Sequence, residues 1–396
     1  MKIYIVGIGM DGKKTLTAEA EKAIENADVI IGAKRMTEPF SGLGKQMSES
    51  WKTNDICAFL DECKCDTAAV LMSGDCGFYS GAQQLKTSLS GYDTEIISGI
   101  STPVYMCAKL GIPWQDMKFV SLHGADGNIV RNVRRYGKCF FLLGGNVTPA
   151  DICKRLCEYG SGDLTVHIAA RLAYPDERII SGKANEFTNT ECDGLCAVIT
   201  ENKRPESCAR FGIPDTEFER GNVPMTKSEI RAVLASKLKV CYNDTVWDIG
   251  CGTGSVSVEC ALAANDGTVF AVDKNDEAVS LTNKNAHIFG CDNIRVISGK
   301  APDVLRELPL PDKVFIGGAS GNISAIIDAA ASGGNTPDIV LTAVTLETLN
   351  EASAELKAHG MSANVTQIAA VRTRAVSSHT MFDAQNPVFI IEGAAT

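Results

Sequence analysis

The sequence is poor in the features that mark membrane, secreted and nucleic-acid-binding proteins. No apolar run approaches the roughly 18 residues of a membrane-spanning helix, and the strand-like start MKIYIVG does not have the layout of a signal peptide. Basic residues number 38 against 48 acidic ones, and the net charge of −10 argues against general affinity for nucleic acid or anionic membranes. We therefore expect a cytoplasmic protein in which any strongly anionic ligand needs a local basic pocket.

The spacings of common metal and disulfide sites are also missing. None of the 15 cysteines forms a CxxC pair, and none of the five histidines forms HxxxH. Cys153 and Cys157 could share one helix face, so a structural metal site stays open as the minor alternative. We expect no metal and mostly reduced, buried cysteines. The histidines are scattered and suggest no catalytic triad.

Apolar β-branched segments alternate with amphipathic helical stretches along the 396 residues, a pattern typical of α/β units with parallel strands. One helix is predicted over 16–27, where the apolar residues share a face. Strands are predicted near residues 3–6, 69–72, 95–97, 119–122, 139–143, 165–168, 195–200, 245–249, 269–272, 295–297, 313–316 and 339–342. The polar stretch ENKRPESCARFG shows no periodicity. It predicts two domains, 1–204 and 212–396, joined by a linker at 205–211.

The most specific local signal is VWDIGCGTGSVSVECA at 246–261. A buried strand ends at Asp248, glycines follow at 250, 252 and 254, and a helix begins near Ser255. Glycines in such a loop let the backbone approach a ligand closely. A nicotinamide-binding loop would require glycine at 255, where this chain has serine. The next strand ends at Asp273, which is placed to accept hydrogen bonds from ribose hydroxyls. Together these features resemble the S-adenosylmethionine (SAM) site of Rossmann-like methyltransferases.

Segments around this loop extend the resemblance over residues 212–393. They are GIPDTEFERGNVPMTKSEIRA, SGKAPDVL, FIGGASG, AVTLET and MFDAQNPVFI, the last expected to end the sheet. The set resembles the decarboxylating precorrin C-15 methyltransferases of cobalamin biosynthesis. The resemblance implies a SAM pocket formed by Thr226, Gly250, Cys251, Gly252, Thr253, Gly254, Asp273 and Ala301. Lys300 stands where that family usually has aspartate, so a side-chain contact to adenine is not carried over.

The first half carries IVGIGMDG between a strand and a helix, with glycines at 7, 9 and 12. Asp28 precedes its strand and is therefore misplaced for a dinucleotide site. With LMSGDCGFYSGA, IISGIST, VSLHG and LAYPDERIISG, the loop resembles the tetrapyrrole methylase fold, specifically precorrin C-5 methyltransferases, over residues 1 to 203. The resemblance implies SAM or substrate neighbours at Gly7, Gly9, Asp75, Ser101 and Thr102. Three loops lack the family's usual proline, which predicts looser loops, and Asp75 has a turn-stabilising role as its alternative.

The two halves together resemble the bifunctional precorrin methyltransferases of the CobL type. The resemblance implies an α/β chain with an N-terminal tetrapyrrole methylase fold (class III) and a C-terminal Rossmann-like class I SAM-dependent methyltransferase domain. It implies methylation of a precorrin at C-5 and C-15, with one SAM per domain, and loss of the ring-C acetate carboxyl. Methyl transfer to an electron-rich carbon needs orientation rather than a metal or a nucleophilic side chain. Candidate catalytic residues are Glu347, Arg374 and Asp75.

A polycarboxylate corrinoid precursor would need clustered cations on this acidic chain. The available clusters are Arg131, Arg134, Arg135 and Lys138 in the first half, and Arg372 with Arg374 in the second. We expect a small-molecule substrate, no nucleic-acid or membrane partner, and a homo-oligomer. Two alternatives stay open: a nicotinamide oxidoreductase with two sites, and a non-catalytic corrinoid-binding protein. Whether the substrate is cobalt-precorrin or metal-free precorrin-6Y also stays open.

Overall fold

The computed structural model describes residues 1–122, 127–192, 194–206, 210–318, 321–334 and 336–395. Contacts divide the chain into two compact units. The first comprises Met1–Asp126, Gly137–Lys154 and Gly162–Asn202, and the second comprises Gly127–Tyr136, Arg155–Ser161 and Lys203–Thr396. Residues 207–209 of the predicted linker, 123 and 124 of the VSLHG motif, and 319 and 320 of the FIGGASG motif lie outside the described residues.

The first unit opens with a parallel sheet of five strands in the order β3-β2-β4-β1-β5. Its elements are β1 (Lys2–Gly7), α1 (Ala18–Asn26), β2 (Val29–Gly32), α2 (Lys34–Thr37), β3 (Gln46–Glu49), α3 (Thr53–Glu62), β4 (Thr67–Met72), α4 (Ala82–Ser88), β5 (Asp93–Ile97) and α5 (Thr102–Leu110). Helix α1 is shorter than predicted, because Thr17 caps it by accepting a hydrogen bond from the Ala20 N–H. Its buried face, with Ala20, Ala23 and Ile24, agrees with the predicted apolar face.

A second sheet in this unit has the order β6-β7-β10-β8-β9. The elements that follow α5 are β6 (Lys118–Ser121), α6 (Ile129–Arg135), β7 (Lys138–Leu142), α7 (Pro149–Glu158), β8 (Thr165–Ala170), β9 (Arg178–Lys183) and β10 (Cys196–Glu201). Strands β6 and β7 pair parallel, whereas β7–β10, β10–β8 and β8–β9 pair antiparallel. The expectation of parallel strands throughout was therefore wrong here. A short loop joins β8 to β9, and only an antiparallel pair can be connected so briefly.

The second unit is built on a sheet of seven strands in the order β13-β12-β11-β14-β15-β19-β16. Its elements are α8 (Ser228–Leu238), β11 (Thr245–Ile249), α9 (Ser255–Ala263), β12 (Thr268–Asp273), α10 (Asp276–Phe289), β13 (Ile294–Ser298), β14 (Lys313–Ile316), α11 (Ile323–Ala330), β15 (Asp338–Ala343), α12 (Leu346–Ala358), β16 (Asn364–Ile368), β17 (Val371–Val376), β18 (His379–Ala384) and β19 (Val388–Gly393). Strands β11 to β15 pair in parallel, and β19 pairs antiparallel with both β15 and β16. The strand order reverses between β11 and β14, where α/β sheets of this kind bind their ligands.

Strands β17 and β18 form a separate antiparallel hairpin. The segment 381–390 was expected to end the main sheet, but its first four residues belong to this hairpin and only residues from Val388 onward join the sheet. Several hairpin side chains are apolar and exposed, with Phe382 82% exposed and Val371 58% exposed. Their exposure explains why they do not belong to a buried central strand.

Every cysteine that the structure describes has a free thiol. Burial raises the pKa of Cys76 and of Cys291 to about 12, so both stay protonated at neutral pH. Among the described helices, none is long and apolar enough to span a membrane.

Candidate active sites

A cavity of about 370 Å³ lies where the strand order of the seven-stranded sheet reverses. We call it the Gly250 cavity. Backbone segments after β11, β12, β13 and β14 surround it, and Val223 and Pro224 complete the lining. Four predicted residues line it, namely Gly250, Gly252, Asp273 and Ala301. The volume is in the range of ordinary small-molecule sites.

Gly250 shows why the loop needs glycine. Its φ is +77°, and a Cβ built there would lie 2.8 Å from the Gly318 nitrogen. A side chain would therefore strain the backbone and push apart two walls of the cavity. The cradle is shaped for a ligand that contacts bare backbone.

Asp273 ends β12 and lines the Gly250 cavity. One carboxylate oxygen accepts a hydrogen bond from the Gly252 N–H at 3.0 Å, and the other accepts one from the Asn275 N–H at 3.0 Å. These bonds fix the carboxylate while leaving acceptor sites on both oxygens. Asp273 is thus oriented to receive hydrogen bonds from vicinal hydroxyl groups.

Asp248 lies beneath the same loop and is fully buried. The Ser257 hydroxyl donates to one of its oxygens, and the other oxygen has no hydrogen-bond partner among the described residues. Burial raises the pKa of Asp248 to about 7; Ser257 opposes this shift, and Asp273 adds to it. The sequence placed this acid at the end of a buried strand, before the glycines, but its raised pKa could not be deduced from the motif.

Four of the predicted cofactor residues do not line the cavity. The Cys251 sulfur contacts the Thr282 hydroxyl at 3.3 Å. The Thr253 carbonyl accepts a hydrogen bond from the Asn285 amide, and Gly254 precedes α9 in a left-handed conformation. These residues, together with Thr226, shape the loop and its supports.

Thr226 is held by a buried ion cluster that sequence reasoning missed. The Arg231 guanidinium is 1% exposed and donates to the Thr226 carbonyl. It also pairs with Glu259 at 2.8 Å and with Asp215 at 2.9 Å. Because Thr226 follows Pro224, the cluster anchors the segment that closes one side of the Gly250 cavity. Arg231 and its acidic partners lie in separate segments of the chain, so no local sequence pattern indicates that they form a cluster.

Arg372 extends that cluster toward the hairpin. Its guanidinium donates to Glu229 at 3.0 and 2.5 Å and lies 3.0 Å from an oxygen of Asp215. The hydrogen bonds from Arg372 lower the pKa of Glu229 to about 2. Arg372 is therefore engaged within the protein, contrary to its expected availability for substrate carboxylates.

The candidate catalytic residues of the second half are both at the surface. Arg374 lies on β17 with a 62% exposed side chain, 3.9 Å from the Asp383 carboxylate. Glu347 lies exposed in the first turn of α12. Neither lines the Gly250 cavity, and no hydrogen bond or ion pair joins the two within the described part of the chain. Their roles stay predictions.

A cavity of about 530 Å³ lies in the first unit, and we call it the Thr102 cavity. Thr102 lines it at the start of α5, with Met10 and Ser73 from two neighbouring loops and Leu172 and Tyr174 from the loop after β8. Thr102 is the one predicted residue of this half in the lining. The other predicted residues lie in the loops beside the cavity.

Three loops meet at Gly7, and the contacts between them explain those residues. A Cβ at Gly7 would lie 2.7 Å from the Gly99 nitrogen. Gly9 and Gly74 exchange backbone hydrogen bonds of 3.0 and 2.7 Å.

Asp75 accepts hydrogen bonds from the Gly77 and Gly99 N–H groups at 2.8 and 2.9 Å. Both carboxylate oxygens of Asp75 thus accept hydrogen bonds from backbone N–H groups, which favours the turn-stabilising role. A catalytic role for Asp75 stays a prediction. Buried Ser101 precedes α5 at the same junction.

Asp11 stands where the resembling family has proline, and it organises the loop by other means. Its carboxylate accepts hydrogen bonds from the N–H groups of Lys13, Lys14 and Thr15 and from the Thr15 hydroxyl. Burial raises the pKa of Asp11, but these hydrogen bonds outweigh it and leave the pKa below its ordinary value. The looser loop expected from the missing proline is therefore not what the structure shows at this position.

The basic cluster expected in the first half is also engaged. Arg131 is 1% exposed and ion-paired, and Arg134 and Arg135 donate to backbone carbonyls. Lys138 pairs with Asp116 at 2.6 Å. A substrate carboxylate would have to displace these partners in order to bind the cluster. Cations elsewhere in the chain are therefore better placed to bind the substrate.

Two family models match different parts of this chain. Residues 2–188 match a model described as "Tetrapyrrole (Corrin/Porphyrin) Methylases", and residues 216–393 match one described as "Precorrin methyltransferase domain". Together they confirm the predicted fold class.

Relatives match each part and the whole. A probable cobalt-precorrin-6B C(15)-methyltransferase (decarboxylating) of Pyrobaculum calidifontis is 46% identical over 187 residues, which are 46% of this chain and 96% of the relative. A precorrin-6Y C(5,15)-methyltransferase (decarboxylating) of Sinorhizobium sp. is 28% identical over 87% of this chain and 85% of the relative. A solved structure described as precorrin-6Y C5,15-methyltransferase from Geobacter metallireducens is 37% identical, covers 47% of this chain and 97% of its own, and has a TM-score of 0.45.

The relatives are methyltransferases, and this evidence favours SAM over a nicotinamide cofactor. The residues of the Gly250 cavity fit SAM, because bare glycine backbone and an oriented carboxylate suit a nucleoside with free ribose hydroxyls. The chain belongs to the precorrin methyltransferase family.

Proposed function

We propose that this chain is a bifunctional SAM-dependent C-methyltransferase of cobalamin biosynthesis. The first unit would methylate a precorrin at C-5, and the second would methylate C-15 and remove the carboxyl of the ring-C acetate. The observation that carries the proposal is the glycine-lined Gly250 cavity with Asp273 fixed at its edge, at the point of strand reversal. The relative that matches both halves is named for the same pair of positions.

In the second unit, Gly250, Gly252 and Ala301 would contact SAM through backbone, and Asp273 would accept hydrogen bonds from its ribose hydroxyls. When bound, SAM supplies an electrophilic methyl group. The protein's contribution is to hold the electron-rich carbon close to that methyl and to exclude water. Arg231 supports this by holding the Thr226 carbonyl beside the cavity wall.

In the first unit, Thr102 and its neighbours in the Thr102 cavity would hold the second SAM. Gly7, Gly9 and Ser101 would contribute by the close packing of their loops, which shapes the cavity edge. Asp75 lies on the loop after β4 and fastens the loop of Ser101 to it by accepting a hydrogen bond from the Gly99 N–H. An acid or base role for Asp75 requires that one of those bonds be given up when substrate binds.

Decarboxylation needs a carboxylate to leave water and an electron sink in the macrocycle. We assign the capture of that carboxylate to Arg374 and a proton-transfer role to Glu347. Both are exposed, which leaves their side chains accessible to a large substrate. Loss of decarboxylation with retained methylation in Arg374→Ala or Glu347→Gln would support these roles, and unchanged product would remove them.

We further propose a homo-oligomer, no nucleic-acid partner and a cytoplasmic location. The exposed apolar side chains of the β17–β18 hairpin, above all Phe382 and Val371, support the oligomer. Light scattering on the wild type and on Phe382→Ser checks it: a smaller particle for the variant is expected, and a wild-type monomer would contradict it. Gel shift with RNA and cell fractionation check the other two.

Counting SAM sites tests the proposed function directly. Equilibrium dialysis of the full chain with labelled SAM is expected to give two sites per chain. Incubation with precorrin-6Y, with and without cobalt, is then expected to transfer label to the macrocycle in at least one form. Two bound SAM molecules without transfer to either form would favour the non-catalytic alternative.

A further inference from the structure

The first unit contains another cavity, of about 690 Å³, which none of the predicted site residues lines. We call it the Trp51 cavity. It lies at the carboxyl ends of β2 and β4, where Ala33 and Met72 contribute to its lining. Trp51 forms part of its wall and is 72% exposed. An exposed indole at the edge of such a cavity offers a flat apolar surface to a ligand.

Arg35 lines neither cavity itself, but it lies where their linings adjoin along the chain, since Met72 lines the Trp51 cavity and Ser73 lines the Thr102 cavity. Its neighbours on the chain, Ala33 and Met36, line the Trp51 cavity. Its guanidinium donates to the Ser73 hydroxyl at 3.4 Å and to the Tyr174 hydroxyl at 3.3 Å, and both of those residues line the Thr102 cavity. One exposed cation therefore lies beside residues that line two cavities of the same unit.

The charge of Arg35 is not neutralised by any acid within ion-pair distance among the described residues. Arg171, which packs 4.8 Å from the centre of the Tyr174 ring on the same loop, differs because Asp176 lies 2.5 Å from it. A guanidinium has five N–H donors, and Arg35 uses two of them on neutral hydroxyls at long distances. The remaining three suffice for a bidentate bond to a carboxylate.

We propose that Arg35 binds a peripheral carboxylate of the macrocycle, which occupies the Trp51 cavity with Trp51 against its face. This inference rests on the proposed function, which supplies a large polycarboxylate macrocycle as substrate. The position of Arg35 would turn one edge of the ring toward the Thr102 cavity and so select the carbon that is methylated. Lys52, whose ammonium lies 5.8 Å from the Trp51 ring centre, adds positive charge, and exposed Asp55 in the lining opposes it. Arg35 is then the group that distinguishes a carboxylate from a neutral substituent.

Kinetics of the full-length enzyme test this assignment. In C-5 methylation at saturating SAM, Arg35→Gln is expected to raise KM for precorrin-6Y roughly 10-fold or more, since charge-assisted hydrogen bonds are lost. Arg35→Lys should recover part of the loss as a point charge. Arg178→Gln is the matched control: an exposed arginine of the same unit that, among the described residues, makes no side-chain hydrogen bond to a residue lining either cavity. SAM binding and C-15 methylation are expected to stay within twofold. An unchanged KM in Arg35→Gln, or an equal loss of SAM affinity, would overturn the assignment.

A binding measurement separates failure of this inference from failure of the proposed function. Uroporphyrin III, a stable tetrapyrrole with carboxylates on every ring, is titrated into the full chain while tryptophan fluorescence is followed. Quenching is expected in the wild type and in Arg178→Gln, with weaker binding in Arg35→Gln and a reduced quench in Trp51→Phe. Equal affinity of Arg35→Gln and Arg178→Gln would overturn the inference even if methyl transfer succeeds. Absence of methyl transfer by the wild type would overturn the proposed function whatever the titration shows.

Discussion

Replacing Asp248 by asparagine should make the second unit less sensitive to rising pH. Asp248 is fully buried, and burial raises its pKa from an ordinary value of 3.8 to about 7. One of its oxygens has no hydrogen-bond partner among the described residues, so nothing near it compensates a full negative charge there. Burial therefore favours the neutral form of Asp248 over its carboxylate.

The sign of the effect follows from linkage. Folding raises the pKa of Asp248, so the neutral acid favours the folded state at pH values below the pKa of the unfolded chain. This contribution to the free energy of unfolding is lost as the pH rises from the unfolded pKa to the folded pKa. Between pH 4 and 7 the loss is about 1.4 kcal/mol per pH unit, and the total is on the order of 4 kcal/mol. Asp248→Asn removes the titration and adds a pH-independent cost of roughly 1–3 kcal/mol for an unpaired amide.

Urea unfolding between pH 5 and 8 measures this difference. Trp247, next to Asp248 and 1% exposed, reports on the second unit once Trp51 and Trp114 are replaced by phenylalanine. The free energy of unfolding of Asp248→Asn, measured relative to that of the wild type, should increase by roughly 2–3 kcal/mol as pH rises across this range. Asp303→Asn, an exposed acid of the same unit, should show no such gain. A difference between wild type and Asp248→Asn that does not change with pH would refute the reasoning.

Three further predictions follow from the geometry. Gly250→Ala should reduce SAM binding from two sites per chain to one, because its Cβ would lie 2.8 Å from the Gly318 nitrogen; two sites in dialysis would contradict this. Arg231→Met should cost about 3–5 kcal/mol in urea unfolding, since it leaves buried Glu259 without its cation; a loss below about 1 kcal/mol would show that the cluster is not needed. Arg374→Ala should weaken macrocycle binding more than SAM binding, and equal losses in both titrations would exclude its role.

Local patterns predicted the second unit well. The strands at 245–249 and 313–316 have the predicted bounds, because each is a buried β-branched run ended by glycine or a polar turn. The hairpin was missed, since nearly all its residues are exposed and its pairing depends on a partner strand rather than on a core. The antiparallel pairing in the first unit was missed for a similar reason: a strand's own sequence does not specify the direction of its neighbour.

The sites were predicted in part. Glycines 250 and 252, with Asp273, occur in a dense motif whose chemistry is local, and they line the cavity. The contacts of Arg231 with Asp215 and Glu259 join separate segments, so no motif reveals them. Arg35 was overlooked because separate segments of the chain supply its surroundings: residues of two cavity linings, and no acid within ion-pair distance in the part of the chain that the structure describes.

The mass of the product tests the central claim most directly. The full chain is incubated with precorrin-6Y, with or without cobalt, and excess SAM, and the macrocycle is then analysed by mass spectrometry. The account predicts two methyl groups gained and one carbon dioxide lost. Recovery of the macrocycle unchanged in both forms, from folded protein that binds SAM, would contradict it.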